Sequence, residues 1–125
     1  MSFKLRTSKK SEEIISRLEA SENLPCYTLV KLAFALSLRS KAPLSDKDLS
    51  TNTLGRELNR QTITGDADAL YKCLIEVDMQ RHITDDEFFP TLIKAHLDRG
   101  MVMLDQEQRY AGDFLTHLAE LDKAL

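Results

Sequence analysis

The sequence predicts an all-α fold, a compact helical domain with at most one short N-terminal strand. Apolar residues recur at three- and four-residue spacing through most of the 125 residues, which is typical of helices packed on a core. Only four Gly and three Pro interrupt that pattern, and hydrophobic residues make up 42% of the chain. We therefore expect one domain spanning residues 1–125, with an apolar core of its own.

Residues 2–7 are the one stretch that alternates with a period of two. Phe3 and Leu5 are apolar, whereas Lys4 and Arg6 are basic. This pattern predicts a short strand or an extended arm. Because a lone strand leaves its backbone groups unpaired, we expect it to pair, and a second copy of the chain is one candidate partner.

Two helices are predicted to follow this strand. Ser8 or Ser11 suits the N-cap of the first, and Pro25 suits the start of the second. The second helix, "PCYTLVKLAFALSLRSK", is apolar nearly all round. Such a helix is buried on two sides, so one of its sides is a candidate subunit interface. The apolar face of the first helix comprises Ile14, Ile15 and Leu18.

The middle of the chain reads as a loop followed by a helix. Residues 40–54 are rich in turn-forming residues and predict a loop. After Gly65, apolar residues at helical spacing predict a helix. Its apolar positions are Leu70, Leu74, Ile75 and Val77.

Two further helices are predicted in the last third. Thr84 and Glu87 form a capping-box pattern, and Pro90 is expected to kink or restart the helix that they open. Gly100 suits the C-terminal cap of that helix. The last helix is predicted from about Gly112 to Ala124.

Composition excludes several classes of protein. Cys26 and Cys73 lie within apolar helical patterns and predict buried, reduced thiols. There is no CxxC motif, no metal-ligand spacing among the three histidines, and no nucleotide-binding or hydrolase motif. We therefore expect no catalytic residues, no cofactor and no metal ion.

The sequence also predicts a cytoplasmic protein. No apolar run approaches the roughly 18 residues that would span a bilayer. The charged N-terminus is not followed by the hydrophobic stretch of a secretory signal.

Charge is divided unevenly along the chain. Residues 1–41 carry eight Lys/Arg and four Asp/Glu, a net of +4, although the whole chain carries −3. Residues 42–125 carry nine and sixteen, a net of −7. Such a division predicts a basic surface that binds an anionic partner.

The order strand, helix, helix in residues 2–39 is similar to a ribbon–helix–helix module. In such modules the strands of two chains form a ribbon, one face of which enters the DNA major groove. Phe3 and Leu5 would then face the core, and Lys4 and Arg6 would face DNA. A flexible arm with solvated charges remains the alternative.

Other charged residues give weaker signals. Arg56 and Arg60 would share a helix face if "GRELNR" is helical, either as DNA contacts or as partners of local carboxylates. A set of carboxylates could bind a metal, although capping of helix starts explains them more simply. The set comprises Asp66, Asp68, Asp78, Asp85, Asp86 and Glu87. The candidate DNA-binding residues are Lys4, Arg6, Lys9, Lys10, Arg17, Lys31, Arg39, Lys41, Arg56 and Arg60.

Four stretches in this order resemble the DndE family, small proteins of the bacterial DNA phosphorothioation (DNA sulfur modification) system. They are "FKLRTSK", "KLAFALSL", "GRELNRQTITGDADALY" and "KAHLDRGM". The resemblance runs from about Phe3 to Met101 and is most specific between Gly55 and Tyr71.

The resemblance implies a non-catalytic subunit that binds double-stranded DNA, prefers nicked duplex, forms a homotetramer and makes its contacts through surface lysines. It also implies partners among the other subunits of the sulfur modification complex. Three alternatives stay open: a sequence-specific repressor of ribbon–helix–helix type, an assembly protein that does not bind DNA, and a metal-dependent nuclease.

Overall fold

The computed structural model describes residues 3–121, and this part of the chain is predominantly helical, which confirms the predicted fold class. The predicted start of the strand at residue 2 and the end of the last helix at Ala124 lie outside the described residues. A π-helical segment, Glu87–Leu92, leads directly into α6. The labelled elements are β1 (Lys4–Arg6), α1 (Lys9–Glu22), α2 (Cys26–Arg39), α3 (Asp46–Leu49), β2 (Glu57–Asn59), α4 (Arg60–Ile63), α5 (Asp68–Met79), α6 (Ile93–Tyr110) and α7 (Phe114–Glu120).

The packing of α2 against α6 forms the centre of the core. Gly100 lies where these helices approach most closely, since a Cβ there would lie 1.8 Å from the carbonyl oxygen of Ala33. The prediction that Gly100 caps a helix is therefore wrong. The helix continues to Tyr110, and the glycine is required by the neighbouring backbone instead.

The strand β1 finds its partner within the same chain. It pairs antiparallel with β2, so that Leu5 lies opposite Leu58 and both side chains are buried. Arg6 lies opposite Glu57. A second copy is therefore not needed to complete this strand, and "GRELNR" is not one continuous helix.

Both apolar faces of α2 contact other helices of the same chain. One face packs on α6, and on another Phe34 meets the ring of Tyr71 from α5 edge-on at 4.6 Å between centroids. The sequence had suggested a subunit interface on one side of α2. Another helix of the same chain packs on part of that side, and the subunit interface stays a prediction.

The segment before α6 follows the sequence prediction. The side chain of Glu87 accepts from the backbone N–H of Thr84 at 3.1 Å, and the hydroxyl of Thr84 accepts from that of Glu87 at 3.1 Å. This confirms the capping box. Phe89 has extended backbone angles (φ −130°, ψ 125°), so the helical path is interrupted beside Pro90 as predicted.

Two local predictions are wrong. Residues 40–54 contain the short helix α3, which Ser45 caps. Cys26 and Cys73 are both reduced, but Cys26 is only half-buried and Cys73 is exposed. Leu70 lies on the outer face of α5, whereas Ile75 faces the core. Among residues 3–121, no helix is long and apolar enough to cross a membrane.

Candidate nucleic-acid interface

Four of the predicted DNA-binding residues form what we call the basic tip: Lys4, Arg6, Lys9 and Lys10. Lys4 and Arg6 flank the buried Leu5, so both side chains point to the outer face of β1. Lys9 and Lys10 begin α1, and all four residues are exposed. The tip therefore presents four positive charges within seven residues, and one of them, Lys4, lies 3.7 Å from the carboxylate of Glu57.

Two of these charges lie at a helix terminus that is already electropositive. The N-terminus of a helix disfavours a nearby cation by about 0.3–1 kcal/mol, because its unpaired N–H groups and the helix dipole are positive there. Lys9 and Lys10 occupy the first turn of α1 after the N-cap Ser8. This placement is unfavourable for the isolated helix. The backbone N–H groups of Ser8 and Lys9 already donate to Asp98 and Asn52, so an anion at this end would be bound through the lysine side chains.

Residues 51–56, which we call the brace segment, hold the tip in place through backbone hydrogen bonds. The N–H of Thr7 donates to the carbonyl of Arg56 at 3.0 Å, and the N–H of Gly55 donates to the carbonyl of Thr7 at 2.9 Å. The guanidinium of Arg6 donates to the carbonyl of Gly55 at 3.0 Å. The strand end is thus tied to the brace segment on both sides of Thr7.

The start of α1 is tied to the same segment. The backbone N–H of Lys9 donates to the side-chain oxygen of Asn52 at 2.9 Å. A Cβ at Gly55 would lie 2.2 Å from the carbonyl oxygen of Ser8, so only glycine permits this close approach. The basic tip is therefore a positioned surface and not a loose arm.

A buried carboxylate lies beneath the tip. Asp98 of α6 is 4% exposed and accepts from the N–H of Ser8 at 3.1 Å and the hydroxyl of Ser11 at 2.6 Å. Its second oxygen accepts from the hydroxyl of Thr51 at 2.6 Å and the ammonium of Lys94 at 2.7 Å. Asp98 therefore joins α1, the brace segment and α6. Sequence reasoning missed this residue, although its i,i+4 spacing from Lys94 was a signal.

Three other predicted residues, Arg17, Arg56 and Arg60, form ion pairs within the chain, and we call them the clamp arginines. Arg56 donates to Glu12 at 2.7 Å and to Glu19 at 2.9 Å. The hydrogen bond to Glu19 is the main reason that the pKa of Arg56 is raised. This arginine therefore fastens the brace segment to α1.

Arg17 joins α1 to α6. It donates to the amide oxygen of Gln108 at 2.8 Å and also binds the carboxylate of Asp105. Its guanidinium is thus occupied by groups of the same chain.

Arg60 is the most enclosed of the three, with a side chain 14% exposed. It binds Asp68 at 2.7 Å and Asp85 at 2.8 Å, and its guanidinium lies over the rings of Phe88 and Phe89. Hydrogen bonds from Arg60 lower the pKa values of both aspartates. Arg56 and Arg60 therefore serve two separate ion-pair clusters and do not share one helix face.

The last three candidates lie on α2 and just after it, and all are exposed. The ammonium of Lys31 lies 5.4 Å from the ring centroid of Tyr27. Arg39 donates to the carbonyl of Leu121 at 3.1 Å, and Lys41 follows the helix. Seven of the ten candidate DNA-binding residues are therefore exposed at the surface, and the other three are the clamp arginines, which form ion pairs within the chain.

The acidic residues that suggested a metal site have other roles. Asp68 and Asp85 bind Arg60, and Glu87 belongs to the capping box. Within the described range 3–121, there is no group of three or more His, Cys, Asp or Glu side chains that could hold a metal ion.

Comparison with known proteins agrees with this fold and sequence pattern. The family model of DndE, DNA sulphur modification protein DndE, matches residues 4–111. A crystal structure of DndE from Escherichia coli B7A, involved in DNA phosphorothioation modification, is similar with a TM-score of 0.66 and 17% identity, over 83% of this chain and 97% of that one.

A glycine-to-lysine variant of DndE, described as involved in DNA phosphorothioation, is similar with a TM-score of 0.61 and 18% identity, over 82% of this chain and 97% of that one. At these identities the two structures show a shared fold alone. No curated protein matches the sequence. Because the family model covers most of the chain, the protein belongs to the DndE family.

Proposed function

We propose that this protein is a non-catalytic, DNA-binding subunit of the DNA phosphorothioation machinery. Family membership supports a role in that modification. The observation that carries the DNA-binding part of the proposal is the basic tip, a positioned cluster of exposed cations on a chain with a net charge of −3. Its anionic partner is the phosphate backbone of duplex DNA.

The contacts are made by the seven exposed candidates, and the basic tip is the central group. Lys and Arg neutralise phosphates without reading sequence, so this surface binds duplexes of different sequence with similar affinity. The clamp arginines contribute indirectly, because they hold the helices and the brace segment that carry the tip. Lys31, Arg39 and Lys41 add exposed positive charges along α2 and just after it.

A preference for nicked duplex follows from the energy of DNA bending. A nicked duplex bends more easily than an intact one, so a surface repeated in a homotetramer engages it at a lower deformation cost. In this proposal, the other subunits of the sulfur modification complex supply the chemistry. The candidate acidic residues, such as Asp68 and Asp85, serve the fold by binding Arg60.

The test compares binding of labelled nicked and intact duplexes of identical sequence, at one salt concentration and alongside sizing of the protein. The proposal predicts salt-sensitive binding to both, with tighter binding to the nicked duplex. Equal affinities would remove the nick preference, and no salt-dependent binding would instead favour an assembly protein. Tight binding to one sequence alone would favour a repressor that reads base edges.

A matched pair of variants connects the result to the tip. Lys9→Ala combined with Lys10→Ala removes two exposed charges of the tip, and we expect a severalfold loss of affinity on every sequence. Arg109→Ala removes an exposed charge near the end of α6, where the side chain is 62% exposed. We expect this control to bind DNA like the unaltered protein.

A further inference from the structure

The outer face of α5 carries an exposed apolar row, which we call the α5 stripe: Leu70, Cys73, Leu74 and Val77. These positions follow the spacing i, i+3, i+4 and i+7, so their side chains line one side of the helix. Leu70 is 59% exposed, Leu74 41% and Val77 70%. A contiguous apolar row of this kind is typical of an interaction surface, whereas single exposed leucines are common.

The α5 stripe is distinct from the face of α5 that packs on the core. Ile75, on the opposite side of α5, is completely buried, and Tyr71 packs its ring against Phe34 of α2. The helix therefore has one apolar face that the core already uses and a second that faces outward. Among residues 3–121, no side chain covers that second face well enough to bury Leu70 or Val77.

Opposite charges lie at the two ends of the stripe. Asp66 is exposed in the short 3₁₀ turn that precedes α5. Arg81 lies just after the helix ends at Met79, and its side chain stays 48% exposed although it also pairs with Glu87 at 2.8 Å. Each lies four residues beyond the outermost apolar residue, Asp66 before Leu70 and Arg81 after Val77.

This arrangement is self-complementary about a single point between Cys73 and Leu74. When a second α5 runs antiparallel across that point, Leu70 of each copy lies opposite Val77 of the other, and Asp66 lies opposite Arg81. Apolar residues thus meet apolar residues, and each end pairs unlike charges. Contacts that are equivalent from both sides define a two-fold interface.

A groove beside the stripe provides the matching surface. It has a volume of about 380 Å³ and is lined by Cys73, Glu76, Val77, Gln80, Arg81 and His82. In the antiparallel arrangement, the projecting Leu70 of the second copy lies over this groove. The same contact occurs twice, because the two copies are related by the two-fold axis.

We infer that the α5 stripe is a two-fold interface between two copies of this chain, with the axis passing between Cys73 and Leu74. A second copy is favoured over an unrelated helix because the complementary pattern, including the opposite charge at each end, is present in the same segment. This inference does not depend on DNA binding. It names one surface through which copies assemble, and a homotetramer would need at least one other.

Covalent cross-linking of Cys73 tests the position of the axis. A Cys26→Ser variant keeps Cys73 as the single thiol, and a short bismaleimide links two thiols that lie near each other. We expect most of this variant to become a covalent dimer at low micromolar concentration. The Cys73→Ser variant, which keeps Cys26, should remain uncrosslinked. A Cys26→Ser protein that yields no dimer above the level of that variant would contradict the inference.

Sedimentation of charge variants tests the contact without a cross-linker. Val77→Glu places a carboxylate in the stripe at a site that is 70% exposed, so the fold should keep its melting temperature. We expect its dissociation constant for self-association to rise at least tenfold. Tyr110→Glu makes a similar change at a residue that is 87% exposed elsewhere, and it should leave the mass unchanged. An unchanged mass for Val77→Glu would overturn the inference.

A charge exchange completes the test. Asp66→Lys places two cations opposite each other at both ends of the interface, and we expect weaker self-association. Adding Arg81→Glu restores unlike charges across the two-fold axis, so the double variant should recover most of the lost affinity. Arg81→Glu alone, which also breaks the ion pair with Glu87, should weaken self-association as Asp66→Lys does. A double variant that associates more weakly than Asp66→Lys would contradict the proposed pairing.

Discussion

The basic tip and the clamp arginines use the same residue types for opposite purposes. The tip residues are exposed and lie on β1 and at the start of α1. Each clamp arginine donates to at least one carboxylate of its own chain, and Arg60 also lies over two phenylalanine rings. Among the tip residues, Lys4 also pairs with a carboxylate, that of Glu57 at 3.7 Å, but its side chain stays 66% exposed. A positively charged residue in the sequence therefore does not by itself indicate a DNA contact. Its exposure and its partners within the chain must also be known.

The difference has an energetic basis. A guanidinium between two carboxylates has already exchanged water for charged hydrogen bonds, so moving it to a phosphate gains little. An exposed lysine releases counterions from DNA when it binds a phosphate, which favours association. Substitution should accordingly separate the two regions, with clamps affecting stability and the tip affecting DNA affinity.

The largest expected loss of stability comes from the carboxylate that anchors the tip. Asp98→Ala removes the acceptor of the N–H of Ser8 and of the hydroxyls of Ser11 and Thr51, and it leaves the ammonium of Lys94 with Thr51 as its remaining partner. We expect a loss of about 3–5 kcal/mol in the free energy of unfolding, measured by urea denaturation. An additional Lys94→Met substitution should restore part of it. A loss below about 1 kcal/mol would contradict the role of Asp98.

Acidification should produce the next largest loss of stability, through protonation of His96. Burial lowers the pKa of this histidine to about 4, and its Nδ1 lies 2.8 Å from the hydroxyl of Ser37. Between pH 6.5 and 4 the unfolded chain binds a proton that the folded chain excludes. Stability is therefore complete above pH 6.5 and declines toward pH 4, by about 3 kcal/mol at most.

The measurement is denaturation at several pH values between 7 and 4, compared with His96→Gln. The variant lacks the titrating ring, so its stability should vary less over this interval. Equal pH dependence in the two proteins would show that His96 is not the group responsible.

Replacing a clamp arginine should reduce the free energy of unfolding by less than either of these changes. Arg60→Ala leaves Asp68 and Asp85 without their guanidinium, but both carboxylates can still reach water. We expect a loss of about 2 kcal/mol in the free energy of unfolding. Arg60→Lys should recover only part of it, because lysine cannot make the paired hydrogen bonds. Full recovery would show that charge alone matters at this site.

The smallest effect on stability is expected at the tip. Replacing Lys4, Arg6, Lys9 and Lys10 by alanine should change the free energy of unfolding by less than about 1 kcal/mol, because the side chains are exposed. Removal of two cations from the start of α1 offsets the lost packing. Thermal and urea denaturation both measure this. A loss as large as that of Arg60→Ala would contradict the distinction between the two regions.

Local patterns in the sequence predicted much of the fold. The helices α1 and α2, the capping box at Thr84 and the interruption at Pro90 depend on neighbouring residues, and they appear where expected. The strand β2 escaped prediction because three residues carry little periodicity, and it exists through its pairing with β1, more than 50 residues earlier in the chain. Gly100 was misassigned for a related reason, since its role depends on Ala33 in another helix.

The candidate site was predictable in composition but not in arrangement. The alternation of Phe3 to Arg6 indicated that Lys4 and Arg6 face outward and that Leu5 is buried. The same alternation placed Phe3 in the core, which is wrong, because Phe3 is 62% exposed. Nothing local distinguished Lys9 at the surface from Arg56 between Glu12 and Glu19, because that difference arises when distant elements pack. The exposed α5 stripe shows the same limit, since helical spacing alone does not tell a core face from an interface.

The most direct test of the central claim is the salt dependence of duplex binding. The logarithm of the binding constant should fall linearly with the logarithm of salt concentration, by about 0.9 for each phosphate neutralised. We predict that alanine at Lys4, Arg6, Lys9 and Lys10 reduces this slope markedly, whereas Arg109→Ala leaves it unchanged. A slope that stays the same without the basic tip would show that DNA is bound elsewhere and would contradict the account.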